Sequence, residues 1–467
     1  MRILQIFVKN TVFEKPMAFL PLGLAYIRSA LCERGYDVDF IDMSEYDEDS
    51  QGKHIDRYPD VSYIPLDYDL YLVSGTSPQA SEIRKVGRYL KEKGKPAIAG
   101  GPHVTNYAGP ETPRGSLMVI DDSLPVDKEL VTNYPVMVKY EGEIAIFEAV
   151  ERIEEGMGAL RRHGRGIVLR TPLISDLGSI PIPDRRDAHK YEWHLEDKNG
   201  KKCLGTNMFT SRGCPKRCAF CDSGNLWTRG VRYTPIDRVR EEFAQIKGLG
   251  FEAIQFYDDI FLLNRSRMIE MCKSLKEMGF AWKCYIRVDI VSHHLYGKEF
   301  LQMMYNAGLI EVLVGVESGS QQILDNIYKD TTVEQNSIVR QWCREVGIRF
   351  KAAIVLGLPG ETTETLEATR RWILEQRPDK CAVAIFIPFS GTPIVDQKIR
   401  RRYGIDDMHD FDIKIELEPG EAADDHFNYG SRTKLQSVVS TSSLTAQQIT
   451  DFYLEFSAEL DALGITY

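Results

Sequence analysis

No apolar run in the sequence approaches the ~20 residues that a membrane-crossing helix requires. Positive charge is not in excess either: 58 Lys and Arg stand against 68 Asp and Glu, for a net charge of −10. A nucleic-acid partner calls for a basic face, so none is expected, and the short runs Arg161–Arg165 and Arg400–Arg402 read as solvated surface. Long-period repeats and low-complexity segments are missing. The apolar part of Met1–Val8 is too short for a secretory leader and lacks a cleavage pattern, so the expected location is the cytoplasm. Cysteines stay reduced there, and bridges are not expected. Cysteine is scarce, at nine in 467 residues, and no second Cys-x-x-Cys pair exists to complete a zinc knuckle.

Three of those nine are concentrated in Ser211-Arg-Gly-Cys-Pro-Lys-Arg-Cys-Ala-Phe-Cys-Asp222, as Cys214, Cys218 and Cys221. Thiolates are soft ligands suited to iron–sulfur clusters, zinc or copper(I). Three thiolates can hold three irons of a four-iron cubane and leave the fourth open, whereas a cluster that only carries electrons normally has four cysteines. An open iron can bind a substrate, which points to chemistry. Cys203 upstream keeps a four-ligand zinc site as the rival reading. Cys32, Cys272, Cys284, Cys343 and Cys381 stand singly in apolar segments and read as core.

Two alternations of strand and helix flank a proline-rich connector. In the first, strands are expected at Arg2–Val8, Val38–Ile41, Leu70–Ser74 and Ala97–Ala99, with helices at Leu22–Arg34 and Ala80–Lys93. This is the pattern of a parallel, doubly wound sheet. Ligands sit beyond the carboxyl ends of such strands, where Ser74, Gly75, Thr76, Ser77 and Gly100, Gly101, Pro102, His103 fall. The connector includes Ile180-Pro-Ile-Pro-Asp184. From Leu204 six further strand-like runs alternate with helices and suggest an incomplete parallel barrel. Its active site is expected at the strand carboxyl ends, which carry the cysteine loop, Asp258 and Asp259, Arg287, Glu317 and Ser318, Gly357–Glu361 and Pro388. The expected division is a sheet domain over 1–150, a linker over 151–200, the barrel over 201–395 and a small, mostly helical covering segment over 396–467.

The cysteine spacing, with Phe220 just before the third cysteine, resembles the signature of the radical S-adenosylmethionine enzymes. Over residues 1 to about 395 the chain resembles their cobalamin-binding branch. The loops Pro21-Leu22-Gly23-Leu24, Ser74–Ser77, Gly100–His103 and Tyr140-Glu141-Gly142-Glu143 follow the order of that branch's cobalamin domain. The Asp-x-His-x-x-Gly string that supplies a cobalt ligand in the methionine-synthase type is absent; Asp187-Ala-His189 is the nearest string. The resemblance implies a [4Fe-4S] cluster on Cys214, Cys218 and Cys221, S-adenosylmethionine, and cobalamin. It also implies roles: Asp258 or Asp259 for the methionyl amine, Arg287 for its carboxylate, Glu317 and Ser318 for ribose, and Phe220 and Ile387 beside adenine.

The reaction then expected is reductive cleavage of S-adenosylmethionine to a 5′-deoxyadenosyl radical and methylation of an unactivated carbon in a small molecule. The electron would come from a donor such as flavodoxin or ferredoxin. Two alternatives stay open: a cobalamin-linked rearrangement, cyclisation or ring contraction without net methyl transfer, and a metal- or cobalamin-binding sensor that does not catalyse.

Overall fold

The apolar runs near the amino terminus become neighbouring strands. In the computed structural model, Arg2–Phe7 pairs in parallel with Asp37–Asp42 on one side and Leu70–Ser74 on the other. Ala97–Gly100, Val136–Lys139 and Ile167–Arg170 extend the sheet in parallel, and Ser116–Val119 ends it antiparallel to Ile167–Arg170. Alternate residues feed two cores. Leu4, Ile6, Tyr71 and Val73 pack with Ile83, Val86 and Leu90 of helix Ala80–Glu92. Ile3, Leu70 and Leu72 pack with Ala145 and Ala149 of helix Gly142–Glu154. Burial on both faces is why these strands read as unbroken apolar runs. The chain leaves the first strand toward one edge and later crosses to the other side, so the strand order reverses beside Phe7 and Ser74. That crevice is where open α/β sheets take ligands.

The structure describes residues 1–10, 17–48, 54–107, 116–119, 127–155, 167–170, 172–227, 229–406, 411–416 and 435–465. The basic run 161–165 and the acidic stretch after Glu416 lie outside them. Among the described residues no helix is long and apolar enough to cross a membrane.

The chain divides at Tyr191 and Glu192 into two units. Strand Ile167–Arg170, in the span read from sequence as linker, lies inside the first sheet. The proline-rich stretch also belongs to the first unit. Buried Arg28 of helix Leu22–Glu33 pairs with Asp184 at 3.1 Å and Asp187 at 2.5 Å, and the Ser29 hydroxyl donates to the Ile182 carbonyl at 2.7 Å. Asp187 of the Asp187-Ala-His189 string is therefore committed to an ion pair. Tyr191, the last residue of the unit, donates to Asp42, whose carboxyl is pushed up to about 6 mainly by burial.

In the second unit Lys202–Met208, Ala253–Phe256, Ala281–Ile286, Leu309–Glu317, Arg349–Leu356 and Lys380–Ile385 lie side by side in chain order, all parallel. Trp193–Glu196 is an antiparallel edge strand on the first of them. This is a half-barrel, with its helices on one face. Asn264, Thr332 and Thr362 accept from backbone N–H groups that start the helices Arg265–Met278, Val333–Val346 and Thr363–Gln376, each satisfying a donor that the first helical turn leaves orphaned. One helix expected over 320–346 is broken into Gln321–Asn326 and Val333–Val346. Tyr328 and Asp330 between them have φ of 52° and 53°, a left-handed backbone that no α-helix continues. Helix Ala446–Ala462 lies against the last strand.

Candidate active site around the cysteine loop

All six parallel strands point their carboxyl ends to one rim. The cysteine loop leaves the first strand there and is fixed by the second. Asp258 accepts from the Thr210 N–H at 2.6 Å, the Thr210 hydroxyl at 2.5 Å and the Ser211 hydroxyl at 2.8 Å. Asp259 accepts from the Gly213 N–H at 3.2 Å and from the Ser223 hydroxyl. Gly213 precedes Cys214 and Ser223 follows Cys221 by two, so Asp259 ties both ends of the loop together. Burial pushes the Asp258 carboxyl up to about 6 and the Asp259 carboxyl upward, against the hydrogen bonds that lower them. The carboxylates assigned to the methionyl amine are thus bonded to the loop itself.

The middle of the loop docks on the helix break. The Ala219 N–H donates to the Ile327 carbonyl at 2.8 Å, and the Ile394 N–H donates to the Ala219 carbonyl at 3.2 Å. Arg287, at the end of the third strand, has Nη1 3.2 Å from Cys218 Sγ and Nε 3.0 Å from Asp289, and it donates to the Lys329 carbonyl. A continuous helix over 320–346 would have tied up those carbonyls. Sequence reading missed Ser223, Lys329 and the break. The break had a signal in Tyr328-Lys-Asp-Thr-Thr332, where Asp and two threonines favour a cap over a helix interior.

The three thiols interact. Burial is the largest cause raising Cys214, and Cys218 and Asp259 add to it while Arg287 opposes; Cys221 is raised by burial, Cys218 and Cys214. Bound metal therefore has to displace protons. Among the described residues no three His, Cys, Asp or Glu side chains converge on a single metal ion. Thiolates sharing one tetrahedral zinc, at Zn–S of about 2.3 Å, would stand roughly 3.8 Å apart, whereas a cluster gives each sulfur its own iron and a wider spacing. Cys203 is no fourth ligand. It sits at the amino end of strand Lys202–Met208, and five residues at about 3.3 Å each hold it some 16 Å below the rim. The donor set fits an iron–sulfur cluster with one open iron.

The remaining rim residues are placed as follows. Glu317 has φ of 62°, and its carboxylate accepts from Lys329 Nζ at 2.6 Å, both buried. Lys329 Nζ also lies 5.9 Å from the centre of the Phe220 ring. The Ser318 hydroxyl is fully buried, 3.0 Å from Thr369 Oγ1, and fixes its own loop to helix Thr363–Gln376. Ile387 is buried on the stretch after the last strand. Tyr403, also missed, is buried with its hydroxyl against Gly224: a Cβ there would stand 1.8 Å from it.

In the first unit, the loops singled out gather at the carboxyl ends of its strands. Gly101 has φ of 96°, and a Cβ on it would meet Ser74 Oγ at 2.6 Å; one on Gly75 would meet Val8 at 2.8 Å. Those two glycines are required by the protein's own packing. Gly23 has nothing within 4 Å of its Cβ position, and Gly100 has only Val138, at 3.6 Å and beyond. Thr76 is locked to Gln79 at 2.9 Å, and Ser77 and Pro102 begin the short helical turns that follow. Glu141 accepts from the Ile174 N–H at 2.7 Å, and Leu22 and Gly142 begin helices. His103 is 1% exposed, 3.4 Å from Asp127 and stacked on Tyr107. Burial raises the Asp127 carboxyl, but His103 and Arg84 outweigh it and hold it at about 2.

The family model of the radical SAM superfamily matches residues 208–373. An uncharacterized methyltransferase of Pyrococcus horikoshii is 28% identical over 81% of this chain and 78% of its own length. An anaerobic magnesium-protoporphyrin IX monomethyl ester cyclase of Cereibacter sphaeroides is 28% identical over 81% of this chain, which spans 60% of that protein. Among solved structures, the radical S-adenosylmethionine methyltransferase TsrM of Kitasatospora setae, with cobalamin and a [4Fe-4S] cluster bound, superposes with a TM-score of 0.64. It is 15% identical, over 99% of this chain and 88% of TsrM. With the cysteine triplet on the first strand of a half-barrel and a doubly wound sheet ahead of it, the chain carries a radical SAM domain over residues 208–373 and shares its fold with the cobalamin-bound methyltransferase TsrM.

Proposed function

We propose that the protein methylates an unactivated carbon of a small molecule, with S-adenosylmethionine as radical source and cobalamin as methyl carrier. The observation that carries this reading is the loop of Cys214, Cys218 and Cys221: three interacting thiols, clamped at both ends, with Cys203 out of reach. These thiolates would hold a [4Fe-4S] cluster. When bound, the cluster supplies the electron that cleaves S-adenosylmethionine and cobalamin supplies the methyl group.

The chain's own residues then do the positioning. Arg287 lies beside the cluster's Cys218 and offers a charge to the methionyl carboxylate. Asp258 and Asp259 keep the loop closed and, with Phe220, Glu317, Ser318 and Ile387, form the S-adenosylmethionine site. In the first unit, the open backbone at Gly23 and Gly100 suits the approach of a large flat ligand. Leu22, Ser74 to Ser77, Gly101 to His103, Glu141 and Gly142 complete that cobalamin rim. The electron comes from a cytoplasmic donor such as flavodoxin or ferredoxin.

The relative that is named a cyclase makes radical cyclisation the second reading. Methyl-labelled S-adenosylmethionine and a candidate substrate separate the two. Methylation puts label in the product, with 5′-deoxyadenosine and S-adenosylhomocysteine in matched amounts; cyclisation gives 5′-deoxyadenosine alone.

A further inference from the structure

The stretch after the last barrel strand runs along the cysteine loop. The Ile394 N–H donates to the Ala219 carbonyl at 3.2 Å. Gly391, with φ of 88°, comes so close that a Cβ on it would stand 2.3 Å from Asn225 Nδ2 and 3.4 Å from Asp222 Oδ1. Tyr403 makes the last contact: a Cβ on Gly224 would stand 1.8 Å from its hydroxyl and 2.7 Å from its Cζ. Glycine at both positions is what admits so close an approach. The stretch is also braced from within. Asp396 accepts from the N–H groups of Lys398 and Ile399 at the start of helix Gln397–Arg402. Arg400 donates from Nε to the Pro393 carbonyl at 3.1 Å and from Nη2 to the Ile394 carbonyl at 3.2 Å. Tyr403 ends that helix, its N–H 3.0 Å from the Ile399 carbonyl.

Tyr403 is 3% exposed, and among the described residues its hydroxyl has no hydrogen-bond partner. Buried phenol hydroxyls normally find one, and a donor left unmet away from water is costly. A phenylalanine would fill the same space without that cost. Gly224 follows Cys221 by three residues. Burial, then Cys221, then Asp222 push the phenol above its ordinary value, so the oxygen keeps its proton and can donate. Arg229 lies over the ring, its Cζ 5.2 Å from the ring centre, and donates from Nη2 to the carbonyl of Pro215, next to Cys214, at 3.2 Å. Its Nε is likewise buried, with no acceptor among the described residues. Two unmet donors thus flank the loop whose thiolates would hold an anionic cluster, and cluster sulfurs accept hydrogen bonds.

We propose that the Tyr403 hydroxyl donates a hydrogen bond to a sulfur of the iron–sulfur cluster on its Cys221 side and so raises the cluster's reduction potential. The inference rests on the reading of Cys214, Cys218 and Cys221 as a cluster site. A donor to sulfur favours the reduced, more negative cluster. Arg287 supplies one such donor at Cys218 from the third strand. Tyr403 supplies another from beyond the barrel, which ties the potential to the seating of residues 391–403 on the loop.

The test compares the full-length wild-type protein with Tyr403→Phe, which removes only the hydroxyl, after anaerobic reconstitution with iron and sulfide. Both should carry about four irons per chain. In a redox titration followed by electron paramagnetic resonance, the variant should be about tenfold harder to reduce at a given potential, the worth of one hydrogen bond to a charged group. For one electron that is a midpoint about 59 mV lower. In deuterium oxide the reduced wild-type cluster should show a deuteron coupling that the variant lacks. The metal-free variant should melt no lower than metal-free wild type, since the hydroxyl it loses is unmet there. Equal midpoints and equal deuteron couplings in the two iron-replete proteins overturn the proposal. Iron loss by a variant whose metal-free form melts as wild type supports the contact; iron loss with a lowered melting temperature overturns it, as the hydroxyl would then hold the fold. Zinc without sulfide in the wild-type protein overturns the cluster reading itself, and metal analysis tells that failure from the others.

Discussion

Nη1 of Arg287 stands 3.2 Å from Sγ of Cys218, so the third barrel strand delivers a fixed positive charge to the central thiol of the triplet. Its other donors go to Asp289 and the Lys329 carbonyl, which hold the guanidinium in that position. Hydrogen bonds to cluster sulfurs raise a cluster's reduction potential. Arg287→Ala should therefore lower the midpoint potential while leaving about four irons per chain, the count of a single cubane. Formation of 5′-deoxyadenosine should fall about ten- to a hundredfold, the worth of one charge-assisted contact. Electron paramagnetic resonance during a redox titration and product chromatography check both.

Asp259 closes the loop through Gly213 and Ser223, and its loss should loosen the cluster before any substrate binds. Asp259→Ala should lose iron on gel filtration in the absence of S-adenosylmethionine. Each lost buried hydrogen bond costs about 1 kcal/mol or more. Iron content equal to wild type, with only S-adenosylmethionine binding weakened, would make Asp259 a ligand to the methionyl amine and not a clamp.

Glu361 is fully buried after the fifth strand and accepts from the N–H groups of Gly357 at 2.5 Å and Leu358 at 3.1 Å. Burial raises it from 4.5 to about 8. A carboxyl raised in the folded state binds its proton more tightly there than in the unfolded chain. Its contribution is present below pH 4.5 and is lost as pH rises toward 8. All five tryptophans lie beyond residue 192, so tryptophan fluorescence reports the barrel unit alone. Its melting temperature should fall between pH 5 and pH 8, and Glu361→Gln should flatten that slope.

His103 is committed to Asp127 and Tyr107 inside the first unit. His103→Gln should leave the absorption spectrum of bound hydroxocobalamin unchanged and lower the stability of the unit. A spectral change to the ligand-free form would identify His103 as a cobalt ligand.

Legibility in the sequence followed burial. All six parallel strands of the half-barrel were readable because each is a continuous apolar or alternating run between turns, and Cys214, Cys218 and Cys221 because their spacing is local. Strands Val136–Lys139 and Ile167–Arg170 were not read, because the first runs almost directly into helix Gly142–Glu154 and the second lies in the span taken as linker. The double hold of Asp259 on Gly213 and Ser223 spans some 46 and 36 residues, and no pattern along the chain encodes it. Lys283, Glu311 and Arg349 likewise each look like one polar residue in a strand, and only strand register brings them together.

The most direct test of the central claim is anaerobic incubation of the reconstituted, cobalamin-loaded full chain with S-adenosylmethionine and a strong reductant, followed by quantification of nucleoside products. Wild-type protein should release 5′-deoxyadenosine and, from methylation of cobalt, S-adenosylhomocysteine. Cys203→Ala should match it, while Cys214→Ala, Cys218→Ala and Cys221→Ala should give no 5′-deoxyadenosine. Absence of 5′-deoxyadenosine from iron-replete wild-type protein, or equal amounts from the Cys218→Ala variant, would contradict the account.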